Sequence, residues 1–509
     1  MRTLGVVWVF AALLAACGGS SDPADSAPAT SAADPRSAPI TVAAGVAQSF
    51  PPAPVAGDGP LAPQVTEAIE LMIGLAQLGF EPSLAAQLAD PNDARVLWLI
   101  ADWLLFTQGG PVGGALLDAA ETTAGVEFDE SRPWNDLTTH LLSWDLPAPH
   151  DFATYQAGLY TSIDPRWAFV FADPAATLDY RQVAWGGVAI DDRELGDPDP
   201  CTLGCIPALD DPALTDVDGG NWYPDEGVVF GVVIEGDAVA FPKNIMEVHE
   251  MVNTTIGGRR VAMPYCTLCG SAQVFFTDEV PGVARPPVLR TSGLLRRSNK
   301  VMYDLDSQSV FDTFTGAAVT GPLREAAVVL PEATVVTTRW SDWKAAHPDT
   351  LIVAQDGGIG RSYEADPLAG RDDDGPIFPI GDHDPRLGVH EQVVGVDAVD
   401  EQPPVAFPAE AARATLQRGD PVTLGSVTLV LDGGGLVGPP LSQGVSPKSD
   451  YRRRGHNLYL PIPYATHCKI TYETDVPVDR GGKSGEALYY QINFRTYADG
   501  TRVESFRTD

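Results

Sequence analysis

The chain has 509 residues, 44% hydrophobic and 20% charged, which is room for roughly two to four domains and at least one large core. Its 33 basic and 68 acidic residues leave a formal charge of −35. That surface repels nucleic acid and anionic membrane, so neither is expected as a charge-driven partner.

The N-terminus reads as a targeting segment. Arg2 supplies a positive charge, Leu4 to Leu14 are apolar, and Leu14-Ala15-Ala16-Cys17 has the pattern of a bacterial lipobox. Residues 1–17 are therefore expected to be a lipoprotein signal whose Cys17 is lipidated and becomes the mature N-terminus, anchoring the protein to a membrane. Gly18, where an Asp would argue for inner-membrane retention, points to the outer membrane. Residues 18–60, rich in Ala, Ser, Pro and Asp, read as a disordered tether. No later apolar run has the length to span a bilayer. Export places Cys201, Cys205, Cys266, Cys269 and Cys468 in a disulfide-permissive compartment, and five is an odd number.

Residues 61–195 form a helical region. Val65, Ile69, Met72, Ile73 and Ala76 recur at helix spacing, and Asn92 is placed to cap a second helix containing Val96, Leu99, Ile100 and Trp103. Strand-like runs with Gly, Pro and Asp punctuation then fill residues 196–436. A weak repeat lies within them. Val229-Phe230-Gly231-Val232 and Ala240-Phe241-Pro242 are echoed by Val393-Val394-Gly395-Val396 and Ala406-Phe407-Pro408, with a degenerate second copy from about residue 386. Aligning the Phe-Pro steps puts Thr415 opposite His249 and Asp432 opposite Cys266, so the second copy lacks the reactive groups of the first. Asp372-Asp373-Asp374 and Asp382-His383-Asp384 read as solvated acidic loops, because the ligand spacing of a calcium loop is absent.

The most informative stretch is Cys266-Thr267-Leu268-Cys269-Gly270, between Arg260–Pro264 and Ser271–Phe276. It reads as strand, turn, strand. A thioredoxin-type pair would instead open a helix whose amides acidify the first thiol. A cysteine knuckle of this kind also suits metal, although a tetrahedral site needs two more ligands.

Several blocks in one order resemble the domain-of-unknown-function family 3179, a group of mostly exported bacterial proteins. They are Ile206–Pro212, Ala240-Phe241-Pro242, His249–Asn253, the Cys266/Cys269 motif, Ser292–Leu295, Ser298-Asn299, Val301–Asp304, Gly321-Pro322-Leu323, Trp340–Lys344 and His347–Thr350. The family has no settled activity. Some of its members carry selenocysteine within the cysteine motif, and this implies redox chemistry there. Val310–Phe314 and Val248 depart from the family pattern. The tail, from Arg454-Gly455-His456-Asn457 through Cys468 to Phe506, is similar to a fragment of domain-of-unknown-function family 2961, related to glycoside hydrolase family 172. Residues 437–509 are thus expected to be a short, partial jelly-roll-like β tail. No pair of catalytic carboxylates can be placed in it by motif.

The fold class expected is α+β: a helical N-terminal region, a β-rich duplicated domain, and the β tail. Three chemistries remain open for the cysteine pair. As a thiol redox site, Cys266 and Cys269 exchange electrons with a thiol partner or small-molecule substrate, and His249 moves the proton. As a metal module, Cys266, Cys269 and His249, with Cys201 and Cys205, hold copper, zinc or iron. As an inert lipoprotein, the pair merely pins a hairpin. Cys201 and Cys205, three residues apart in a loop, read first as a local disulfide. Arg290, Arg296 and Arg297 read as partners of neighbouring carboxylates, Trp340 and Trp343 as core, His347 as a turn residue, and Cys468 as a buried small residue.

Overall fold

Helix-spaced apolar residues build the N-terminal layer of the computed structural model, which describes residues 48–437 apart from 108, 198, 372–374, 384, 386, 388, 397–404 and 426. Residues 1–47, with the expected signal and Cys17, and 438–509, with Cys468 and almost all of the expected β tail, lie outside the described residues, as does Asp372–Asp374. The last part of the expected disordered tether, residues 48–60, instead packs on the helices: the Pro51 carbonyl accepts from the Trp144 indole at 2.7 Å and the Gly57 amide donates to Asp93 at 3.0 Å. Helices span Pro63–Leu75, Leu97–Phe106, Gly110–Ala124, Pro133–Trp144 and Phe152–Ile163. Proline opens three of them at their first turn, where its missing N–H costs nothing. Val65, Ile69 and Met72 are buried, as their spacing predicts. The cap before the second helix is Asp93 rather than Asn92: its carboxylate accepts from the Arg95 amide at 3.2 Å, while the Asn92 amide turns back to Asp90.

Strands dominate from Val183 onward, and among the described residues they form sheets of six, five, four, three and two strands. The four-stranded sheet runs Val183–Trp185, Leu289–Arg296, Asn299–Asp304, Val310–Asp312, all antiparallel. Its register shifts between Thr291 and Leu295, where Gly293 sits at φ 77° and a Cβ would come within 2.4 Å of the Val188 carbonyl. Only glycine fits that bulge. The helices pack on this sheet in one core, in which Leu294, Val301, Tyr303 and Val310 join Trp98, Leu159 and Trp167.

The repeat is visible in backbone pairing. Val228–Ile234 and Asp237–Pro242 pair antiparallel with Val229 opposite Pro242 and Phe230 opposite Phe241. Val393–Val396 and Val405–Pro408 pair with Val393 opposite Pro408 and Val394 opposite Phe407. A helix follows each pair, Lys243–His249 and Ala409–Gln417. Next comes the hairpin that matters. Arg259–Cys266 turns through Thr267–Gly270 into Ser271–Ala272, with Cys266 opposite Ser271. In the second copy Val427–Asp432 turns through Gly433-Gly434 into Gly435–Val437, with Asp432 opposite Gly435. Duplication, with the cysteine turn shortened in the second copy, accounts for both.

Trp340 and Trp343 are buried in the core of the first copy, as expected. Arg290 pairs with Asp210 at 2.7 Å and Arg296 with Asp312 at 2.7 Å, whereas Arg297 donates to the Ile380 carbonyl.

Candidate functional site

The cysteine hairpin is the strand–turn–strand unit its pattern implies, and Gly270 closes the turn at φ 62°. Both cysteines are thiols and both are buried, Cys266 at 1% exposure and Cys269 at 5%. Leu268, Phe314, Leu295, Ile377 and Phe378 wrap them in apolar surface.

The floor of the site comes from a second hairpin. Arg297 (φ 44°) and Ser298 (φ 66°) make its two-residue turn, both in the left-handed region that usually calls for Asn or Gly. This strained backbone brings the Ser298 carbonyl within 3.9 Å of the Cys266 sulfur and 3.8 Å of the Cys269 sulfur. The Asn299 side-chain oxygen lies 3.4 Å from the Cys269 Sγ. The Ser298 hydroxyl donates to the Pro379 carbonyl at 2.9 Å, which ties the covering segment to the turn.

Charge is concentrated on one side of Cys266. Lys300, fully buried, donates from Nζ to the Glu250 carbonyl at 2.6 Å and lies 3.4 Å from the Glu250 carboxylate. Glu250 reaches this position because it ends its helix at φ 52°, and its other carboxylate oxygen accepts from Thr267 at 2.7 Å. Arg371 clamps Thr267 through hydroxyl and carbonyl, each at 2.9 Å. Burial pulls the Lys300 ammonium below its usual range, opposed by the charges of Glu250 and Cys266. For Cys266 burial pushes the thiol up. Hydrogen bonds from Cys269, from the Lys300 amide and from the Cys269 amide outweigh burial and Glu250, and leave it below the ordinary thiol range.

His249 stands elsewhere. Its Nδ1 lies 2.6 Å from the Pro207 carbonyl, which can only accept, so Nδ1 carries the proton and Nε2 accepts from the Tyr363 hydroxyl at 2.7 Å. Burial lowers its pKa to about 4, so the ring is neutral at physiological pH. Both ring nitrogens are thus committed away from the thiols. Cys201 and Cys205 are joined in a disulfide, Cα to Cα 5.1 Å, over the buried carboxylate of Asp191. Asp191 in turn accepts from Arg193 at 2.7 Å and the Ala208 amide at 2.8 Å. The structure therefore does not gather the five residues of a single metal site. Cys266 and Cys269 form one group, and Cys201, Cys205 and Asp191 form another, whose ligand atoms lie within 4.8 Å of one another. Lys300 escaped sequence reasoning. Its only signal is a lysine directly after the Ser298-Asn299 block, on a strand whose residues are otherwise buried.

Residues 203–435 match the family model described as protein of unknown function (DUF3179), and residues 417–509 match the GH172 first beta-sandwich domain. Both resemblances read from the sequence motifs hold. The two matches overlap over 417–435, and the second starts at 417 where the motifs place the tail from 437. No curated protein and no solved structure matches the chain.

Proposed function

We propose that this is an exported, lipid-anchored protein of the cell envelope in which Cys266 and Cys269 cycle between dithiol and disulfide. The observation that carries the reading is a pair of unjoined thiols, both buried in an apolar shell and both within 3.9 Å of the one Ser298 carbonyl. Two thiols held over one acceptor are placed to close a disulfide, and the pull of the Cys266 thiol below its ordinary range adds to this. Cys266 is then the attacking sulfur. Cys269, next to it, resolves the adduct and closes the disulfide, and two electrons leave the pair. Proton work falls to the Lys300–Glu250 pair, since His249 is engaged with Pro207 and Tyr363. The lipobox ending in Cys17 supports the anchor, and the Cys201–Cys205 disulfide suits an oxidising compartment.

Peptide mapping of the reduced protein after mild oxidation tests this. A loss of two hydrogens confined to a Cys266–Cys269 crosslink is expected, and a Cys269→Ser variant is expected to hold a stable adduct on Cys266. A stoichiometric metal that disappears with Cys266→Ser would replace the redox reading with a metal site. A second reading has its own observation: once reduced, Cys201 and Cys205 with Asp191 offer three ligand atoms to zinc, copper or iron. Metal analysis of the protein reduced under zinc, with Cys201→Ser as control, checks it.

A further inference from the structure

The thiols sit where a protein disulfide cannot reach them, at 1% and 5% exposure under Phe314, Ile377 and Phe378. Beside them lie polar atoms that have no partner. Ser271 is directly opposite Cys266 in an antiparallel pair, so their side chains share one face with Cβ atoms about 4.5–5.5 Å apart. Gln273, two residues on, is fully buried, and its amide donates to the Pro264 carbonyl, two residues before Cys266. The Ser271 hydroxyl and both ends of the Gln273 side-chain amide are buried without any hydrogen-bond partner. An unsatisfied buried polar group costs about 1–3 kcal/mol, so these three atoms, on the segment paired with the strand of Cys266, are open to a small polar ligand that satisfies them.

Resting on the redox reading above, we infer that the oxidant is a small hydroperoxide, hydrogen peroxide by size, held by Ser271 and Gln273 against Cys266. It is small and neutral, so it passes an apolar shell that excludes a peptide. It is also both donor and acceptor, which matches a hydroxyl and a carboxamide. The Cys266 thiolate attacks one peroxide oxygen; the S–O bond forms, the O–O bond breaks, and hydroxide leaves. That hydroxide takes the proton of the Cys269 thiol and becomes water. The Cys269 thiolate then attacks the Cys266 sulfenic sulfur; the S–S bond forms, the S–O bond breaks, and the hydroxide released takes a proton from the Lys300 ammonium, refilled from solvent. Two electrons pass from the sulfurs to the peroxide, which becomes two waters.

The test follows the reduced full chain through formation of the Cys266–Cys269 disulfide. Complete ionisation of a thiol raises its reactivity at pH 7 only by roughly thirtyfold over free cysteine. Hydrogen peroxide is expected to exceed that ratio, and tert-butyl hydroperoxide to be at least about tenfold slower, because the shell selects by size. Phe378→Ala is expected to narrow the gap between the two. Gln273→Met is expected to slow peroxide oxidation about tenfold, the worth of one hydrogen bond, while leaving iodoacetamide alkylation of Cys266 unchanged. A merely structural glutamine would leave both rates alone, and that result overturns the assignment. Equal rates for both peroxides, at the level of free cysteine, also overturn it. If a disulfide-bearing peptide oxidises the pair and peroxide does not, the substrate is wrong and the dithiol stands. If no oxidant closes the disulfide, the dithiol reading falls with it.

Discussion

At the scale of single residues, the decisive pair is one lysine and one glutamate. Lys300 is buried against Glu250, and neither charge has water to fall back on. Removing one partner of a buried pair costs roughly 3–5 kcal/mol because the other charge is stranded. Lys300→Met is therefore expected to lower unfolding free energy by about that much in a urea titration, and adding Glu250→Gln is expected to recover most of it. In Glu250→Gln alone the alkylation pH profile of Cys266 is expected to shift downward, since the carboxylate charge no longer opposes its thiolate. His249 makes a different prediction. Its folded pKa, lowered to about 4, lies below the unfolded value near 6.5, so between those values the unfolded chain binds the extra proton. Stability is unaffected by this group above pH 6.5 and falls as pH drops toward 4, by roughly 3 kcal/mol in total. His249→Gln should flatten that slope in denaturation curves taken across pH 4–7.

Among elements, the cysteine hairpin and its degenerate copy set the comparison. Cys266 and Asp432 end equivalent strands, but four residues turn the first hairpin and two glycines turn the second. The fold thus tolerates the shorter turn at this place in the repeat. Replacing Cys266–Gly270 by Ser-Gly-Gly is expected to give a folded protein, less stable by about 3–5 kcal/mol for the lost Thr267 hydrogen bonds and the lost burial of Leu268. It would carry no oxidisable pair. Collapse of the far-UV circular dichroism would instead make the cysteine turn a structural requirement. The hairpins and the repeat were legible because alternation, a terminal glycine and a repeated Phe-Pro step are local. The site's surroundings were not. Glu250 and Lys300 meet across 50 residues, and His249 finds Tyr363 across 114. Proximity of His249 to the motif along the chain suggested a proton shuttle; the helix end at Glu250 aims the imidazole at Pro207 and brings the carboxylate, one residue later, to the thiols' side.

For the whole molecule, the question is whether the helical layer is an appendage or part of the fold. Trp167 donates its indole N–H to the Ser292 carbonyl at 2.8 Å, the Thr177 amide pairs with Val319 at 2.9 Å, and Arg324 meets Asp173 at 2.6 Å. Asn135 also holds the Ile377 carbonyl at 2.8 Å, so a helix steadies the segment that covers the cysteines. Leu294, Val301, Tyr303, Val310 and Val319 share their core with these helices. Exposing those side chains forfeits roughly 1.5–3 kcal/mol each, a sum comparable to the 5–15 kcal/mol that holds an ordinary domain together. The two layers are therefore expected to unfold together, with tryptophan fluorescence and far-UV circular dichroism giving coincident denaturant transitions. A chain lacking residues 48–178 is expected to bind hydrophobic dye and to lose the protection of Cys266 from alkylation. Two separated transitions, or a soluble truncated chain with buried thiols, would make the helical layer an independent domain and leave Ile377 and Phe378 to guard the site unaided.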